Sequence, residues 1–327
     1  QFDVARLTEF AKATEDAALA VAGVTNSEGA GASHGDRVVA LATTGGFAGA
    51  YATSSYSLSA SVVAGTGTDM QADGDYASTH HFADLRQPAE IGRTAGEKAV
   101  KRLHPRKMPS GPVPVVFSPE AARSLLGHLA GAITGTAIAR GVSFLKDKLG
   151  EPVFAPGIRI VDDPLRLRGL RSRPFDAEGV AGGPMALIED GRLTTWLMDC
   201  ASARQLGLAT TGHAQRDTGS PPHPGTTNLY LEPGSATPDE LMSDIAAGIY
   251  VTDLIGFGVN GVTGDYSRGA AGFWIENGKP SFPVAEMTIA GNLKAMFQRL
   301  VPANDLIFRF GTDAPTVRID GMTVAGL

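Results

Sequence analysis

The sequence predicts an α+β protein: an N-terminal α/β domain over residues 1–104, then a larger domain over 105–327 dominated by antiparallel sheet and carrying a helix over 119–140. Three observations predict it. Helical spacing of apolar residues is confined to a few stretches. Elsewhere apolar residues alternate with small or hydroxyl residues at the period of two that marks half-buried strands. Between the two parts, His104-Pro105-Arg106-Lys107-Met108-Pro109-Ser110-Gly111-Pro112 places three prolines in nine residues, which supports neither a helix nor a central strand.

In chain order, Val4, Leu7, Phe10, Ala11, Ala18 and Val21 fall mostly at helical spacing, with Thr14 the one polar break in that face and Gly23 the stop. Val38 to Ala42, Gly49 to Ser55 and Tyr56 to Val63 then read as strands of a meander. A second helix spans Pro88 to Leu103, with Pro88 in its first turn and Ile91, Ala95, Ala99 and Leu103 on one face.

Beyond the boundary, Val113 to Phe117 is a buried strand. Ser118-Pro119-Glu120 supplies an N-cap, an N1 proline and an early acid for a helix reaching about Arg140, striped by Leu125, Leu126, Leu129 and Ile133. Short strands follow at Ile158 to Val161, Met185 to Glu189 and Leu193 to Met198, the last two joined by the turn Asp190-Gly191, and another at Asn228 to Leu231. Thr237-Pro238-Asp239-Glu240 caps a helix to about Tyr250. Gly272 to Ile275 and Ser281 to Val284 flank the turn Glu276-Asn277-Gly278-Lys279.

Composition narrows the functional classes. At 327 residues with 43% hydrophobic and 19% charged, the chain can bury a large core and exceeds a typical single domain. Its 28 basic and 34 acidic residues, a net charge of -6 without long like-charged blocks, leave no electrostatic footprint for nucleic acid or an anionic membrane. No run approaches the roughly 18 to 20 apolar residues of a spanning helix. The start lacks the order of a signal peptide, which places the protein in the cytoplasm. The absence of an initiating Met points to a missing N-terminal segment. A single cysteine, Cys200, excludes an internal disulfide and an all-cysteine zinc site.

Chemistry concentrates in Gly256-Phe257-Gly258-Val259-Asn260-Gly261-Val262-Thr263-Gly264-Asp265-Tyr266-Ser267-Arg268-Gly269, a glycine-dense stretch running into a strand-like segment. Asn260, Asp265, Tyr266 and Arg268 stand among residues with little side chain, which suits a surface that orients a loop or touches a ligand or peptide. Gly256, Gly258 and Gly261 match G-x-G-x-x-G. The stretch is read as following a helix and leading into none, so it offers no helix N-terminus for a pyrophosphate.

The helix over 119–140 carries His128 but no second histidine at ligand spacing, and an isolated histidine beside an apolar stripe reads as structural. Cys200 with His213 and His223 remains open as a zinc or thiol constellation. Asp162-Asp163 reads as turn chemistry before Pro164. Arg166, Arg168, Arg171 and Arg173 read as a comb on an extended segment, either a solvated edge or a set of carboxylate contacts.

Taken in order, Val24-Thr25-Asn26-Ser27-Glu28-Gly29-Ala30, Gly46-Phe47-Ala48-Gly49, Ser124-Leu125-Leu126-Gly127-His128-Leu129, Ser143 to Gly150, Thr227-Asn228-Leu229-Tyr230 and Gly258 to Gly269 resemble the TldD/PmbA family of peptidase-related proteins, on its PmbA (TldE) branch. The resemblance covers essentially the whole chain. It implies a cytoplasmic subunit, also described as a modulator of DNA gyrase, that pairs with a TldD-like partner or with itself as a dimer. The assembly so implied is a metal-dependent peptidase acting on extended, unfolded or leader peptides.

The TldD branch draws zinc onto a helix with H-E-x-x-x-H and a later cysteine. In this chain the matching residues are Gly127-His128-Leu129-Ala130-Gly131-Ala132, and the stretch near Phe308 to Thr312 holds no cysteine. The resemblance therefore implies no metal on this chain, zinc in the TldD-like partner, and no catalytic residue here, because nothing would lower the pKa of a metal-bound water. An independent hydrolase built on Cys200, His213 and His223, and a non-enzymatic regulatory or binding module, are the competing expectations.

Overall fold

In the computed structural model, which describes residues 3–326, the chain divides into two units. One comprises the residues up to Val39 with Ala50–Arg106, the other Ala40–Gly49 with the residues from Lys107 onward.

In the first unit, α1 (Val4–Leu19) starts at Asp3, whose carboxylate accepts from the Arg6 amide at 2.9 Å. Next come β1 (Val24–Ala42), β2 (Ala48–Ala64), β3 (Gln71–Thr79) and α2 (Pro88–Lys101). The sheet has the order β1-β2-β3, with β2 and β3 antiparallel from Tyr56↔Thr79 to Ala64↔Gln71. Its core is built from small residues, Ala18, Ala60, Val62, Ala64, Ala95 and Ala99, beside Leu58, Leu85 and Ile91.

Small residues let α1 and α2 approach closely. A Cβ on Gly92 would fall inside contact distance of the Thr14 carbonyl oxygen, so only glycine fits that crossing. Thr14 itself is fully buried, its hydroxyl donating to Phe10 O at 2.8 Å, which satisfies the one polar group on the apolar face. The expected short strands at Gly49 to Ser55 and Tyr56 to Val63 are one continuous strand. β1 begins at Val24, fourteen residues before Val38, through asparagine, glutamate and glycine that local propensity disfavours; pairing along β2 decides it.

The second unit opens with β4 (Gly111–Phe117), α3 (Pro119–Ala132) and α4 (Gly135–Ala139). Here the expected single helix over 119–140 is corrected. The backbone at Ile133 and Thr134 is diverted to the segment around Leu197: Leu197 N donates to Ile133 O at 2.9 Å and Gly135 N to Leu197 O at 2.7 Å. Thr134 then caps α4, accepting from Ala137 N at 3.4 Å. The same contact corrects the expected strand from Leu193 to Met198: the strand is Arg192–Leu193, and of the expected range Leu193 alone is in register with the preceding strand.

The chain continues with β5 (Ile160–Asp162), β6 (Met185–Glu189), β7 (Arg192–Leu193), α5 (Cys200–Leu206), β8 (Ala214–Gln215), β9 (His223–Pro224), β10 (Leu229–Leu231) and α6 (Pro238–Met242). The final run is β11 (Ala247–Ile255), β12 (Asp265–Glu276), β13 (Lys279–Asn292), α7 (Leu293–Gln298), β14 (Leu300–Pro302), β15 (Thr312–Asp313) and β16 (Val317–Ala325). Thr237 and Glu240 form a capping box on α6, as their spacing predicts. The helix stops at Met242, however, and Ala247–Ile255 is a strand rather than helix to Tyr250, because it fills the gap between β4, which it joins in parallel, and β12.

The main sheet runs β13-β12-β11-β4-β16-β14, and β13 also pairs with β16 from Thr288↔Ala325 to Ala290↔Thr323, closing β4, β11, β12, β13 and β16 into a ring. Register shifts within β11, β12 and β16 supply the curvature that closure needs. A second sheet has the order β15-β10-β5-β6-β7. α3 packs against β11, β10 and β15, burying Leu125, Leu126 and Leu129, each contributing roughly 1.5 to 3 kcal/mol. Its exposed side faces the chemistry described next.

Candidate functional site

Ser118 starts α3 by accepting from Ala121 N at 3.3 Å, and the register this sets sends Leu125, Leu126, Leu129 and Ala132 inward. Gly127 and Gly131 then fall on the outer side, where an added Cβ would meet nothing within 4 Å. His128 lies between the two faces, its ring edge-on to Tyr266 with centroids 5.9 Å apart. Among the described residues, neither His128 Nε2 nor the Tyr266 hydroxyl has a hydrogen-bond partner, although both atoms are buried.

Burial, and then the positive charge of Arg268, push the His128 imidazole below its ordinary value, so it is neutral near pH 7. Burial drives the Tyr266 phenol upward. One neutral imidazole flanked by Gly127 and Ala132 does not fit a zinc ion, which takes at least three protein ligands on a shared centre. Among the described residues no three His, Cys, Asp or Glu side chains converge as a metal-holding group.

The glycine-dense segment over 256–264 joins β11 to β12. It follows a strand, not a helix, which corrects the expected context. It also leads into a strand, so the segment opens no helix of its own whose N-terminus could take a pyrophosphate. Asn260 organises the loop: its Oδ1 accepts from Val262 N at 2.9 Å and Thr263 N at 3.2 Å, and its carbonyl accepts from Gly264 N at 2.8 Å. Asp265 anchors the far side, accepting from the Thr263 hydroxyl at 2.6 Å and from Asn292 Nδ2 at 3.0 Å. Those two donors, Thr263 first, hold its carboxyl below the ordinary carboxylate value.

Asn260 thus bonds within the loop, and Asp265 ties the loop to Asn292. Tyr266 is not at the surface: it is 1% exposed, because alternation along β12 turns it into the core, and this removes it as a peptide contact. Arg268 is half-buried on the same strand, its Nε donating to Ile255 O at 3.3 Å. Phe257, which no motif singled out, projects fully into solvent at 100% exposure, with Ile255 and Val262 exposed beside it. A large aromatic between two glycines was the signal that could have found it.

Among the described residues, Cys200, His213 and His223 do not form a metal-holding group. Cys200 opens α5, its amide donating to Glu178 Oε2 at 2.7 Å; burial first, and the Glu178 carboxylate second, raise its thiol, the opposite of activation. His213 is buried, with Nδ1 2.9 Å from the Thr211 hydroxyl and Nε2 3.3 Å from Asp162 Oδ2, off the line of a hydrogen bond. His223 lies in β9, paired with Gln215.

Asp162 is corrected as well. It is fully buried on β5 and accepts from Thr227 N at 2.7 Å and the Thr227 hydroxyl at 2.5 Å, and only Asp163 makes a turn, accepting from Leu165 N. The arginine comb is not extended either. Residues 163–173 coil through successive turns around Asn228, which accepts from Arg171 N at 2.9 Å and donates to Asp163 O and Ser172 Oγ. Arg166 lies over Phe308, and Arg171 donates to the Thr312 hydroxyl at 3.2 Å.

A ring of mostly antiparallel strands beside a helix, preceded in the chain by a small α/β unit, defines a class, and the comparisons with known proteins specify it. The sequence model of the PmbA/TldA metallopeptidase central domain matches residues 1–103, and that of the C-terminal domain of the same family matches 110–326. The chain belongs to the PmbA/TldA metallopeptidase family.

It is 38% identical to Metalloprotease PmbA of Escherichia coli O157:H7 over 97% of this chain and 69% of that protein. The crystal structure of a putative modulator of DNA gyrase from Bacteroides thetaiotaomicron superposes with a TM-score of 0.91 at 29% identity, covering 100% of this chain and 72% of the other. The TldD side of the family is also similar: a Metalloprotease TldD homolog of Haemophilus influenzae is 28% identical over 72% of this chain and 53% of that protein. No helix among the described residues is long and apolar enough to cross a membrane.

Proposed function

We propose that this chain is the catalytically silent subunit of a cytoplasmic two-subunit metallopeptidase, paired with a TldD-like chain that holds zinc and cleaves extended peptides. The observation that carries the reading is the donor set on α3: Gly127, His128 and Ala132 stand where a metal helix needs two ligands and an acid. The braced loop supports a docking role. Asn260 and Asp265 fix its backbone, so the exposed Ile255, Phe257 and Val262 are held out at little further entropic cost when covered by another subunit. An extended substrate would be held by strand-like pairing with its backbone.

The test is cleavage of an unfolded polypeptide by this chain, by a TldD-like partner, and by the two mixed, with size-exclusion chromatography of each. Hydrolysis by the mixture alone, lost on chelation and accompanied by a heterodimer, is the expected result. Cleavage by this chain alone, abolished by a chelator, would overturn the reading, and a complex of two copies of this chain would replace the partner with a self-pair.

A further inference from the structure

We infer that a cleft between the first turns of α3 and the β11–β12 hairpin binds a peptide carboxylate through Arg268. This rests on the reading of the chain as a peptide-handling subunit and names a contact of that role. The cleft has a volume of about 310 Å³ and is lined by Glu120, Arg123, Ser124, Thr252, Asp253 and Arg268, among others. Its polar groups differ in what they have left to offer.

The Ser124 hydroxyl donates to Ala121 O at 2.7 Å and the Thr252 hydroxyl to Ala271 O at 3.4 Å, so each has spent its single proton on backbone. Arg123 lies over the Phe310 ring at 4.2 Å. Asp253 accepts from Leu254 N at 2.9 Å, and Glu120 occupies the first turn of α3, where the helix dipole favours a negative charge.

Arg268 differs from all of these. Its Nε is anchored on Ile255 O, which fixes the plane of the guanidinium, while among the described residues its two terminal nitrogens have no hydrogen-bond or ion-pair partner. A planar, oriented pair of donors at the wall of a cleft matches the two oxygens of a carboxylate, and being half-buried it is less screened than a surface arginine. The shared chemistry is a carboxylate, from either a chain terminus or an aspartate or glutamate side chain. The acidic groups at Glu120 and Asp253 disfavour a second negative charge, so the ligand carries one carboxylate on an otherwise uncharged stretch.

The experiment is calorimetric titration of the full chain with N-acetyl-tetra-alanine bearing a free carboxyl end, with its carboxamide, and with a carboxamide peptide containing one internal glutamate. The free acid is expected to bind about tenfold more tightly than the carboxamide. In Arg268→Gln the two should bind within about a factor of two, with Arg268→Lys between, because a lysine keeps the charge but loses the fork. If the glutamate peptide binds like the free acid, the carboxylate comes from a side chain; if it binds like the carboxamide, from the terminus; both place a carboxylate on Arg268.

Equal binding of acid and carboxamide to the wild type, no binding of either, or full discrimination retained in a folded Arg268→Gln would overturn the inference. Cleavage by the mixed subunits is read in a separate assay. Failure of the acid-carboxamide contrast with cleavage intact defeats only this site, and loss of cleavage with the contrast intact defeats only the subunit reading.

Discussion

Two glycine-rich stretches of the second unit carry opposite meanings. In the loop over 256–264 the backbone itself calls for glycine: Gly256 and Gly264 adopt positive φ, and Gly258 is pressed by a neighbour. Gly258 lies so close to Ser267 that a Cβ would collide with its carbonyl oxygen, while Ser267 N donates to Gly258 O at 2.6 Å. On α3 the neighbours are missing: Gly127 and Gly131 face open space, although glycine weakens a helix interior. The first stretch is glycine by structural demand. The second is glycine with no steric reason, on the outer side of α3 beside His128.

Substitution should separate the two. Gly258→Ala forces a methyl against backbone that cannot swing aside and should cost about 2 to 3 kcal/mol in urea unfolding; an unchanged midpoint would mean the loop yields freely. Asn260→Ala removes the acceptor of two amides and should cost about 1 kcal/mol, with faster hydrogen exchange at Val262 and Thr263. Gly127→Ala should act in the other direction, stabilising by about 0.5 to 1 kcal/mol, since the space is open and alanine favours the helix. A loss of stability there would show that the face is closely covered.

The smallest expected effect is one of pH, at the His128–Tyr266 contact that joins the two stretches. The fold holds His128 below its ordinary value of 6.5, mainly by burial, so the unfolded chain binds the proton more readily. Stability should therefore be fullest above the ordinary value and decline as pH falls below it, until the folded histidine also protonates. His128→Asn should flatten that decline when chemical denaturation is compared at about pH 7.5 and about pH 5.5. A decline of equal size in the variant would assign the effect to other groups.

What could be read from the sequence was local. Ser118 and Thr237 announced helix starts because a cap is made by residues three apart, and Asn277-Gly278 announced a turn because both adopt positive φ there. What could not be read depended on distant partners. The break at Thr134 requires Leu197, the strand at Ala247–Ile255 requires Val115 to Phe117, and β1 requires β2. The same division holds at the site. The hydrogen bonds of Asn260 and Asp265 are mostly local, so the sequence around them already points to a braced turn, whereas the burial of Tyr266 follows from packing against α3, and the coil of Arg166 to Arg173 follows from Asn228, more than fifty residues on.

The division of labour turns on whether α3 can grip a cation, and zinc titration of the purified full chain, followed by calorimetry near pH 7, reads that directly. The account predicts no saturable stoichiometric site, and the same result for His128→Ala. One zinc bound per chain with submicromolar affinity, lost in His128→Ala, would contradict it.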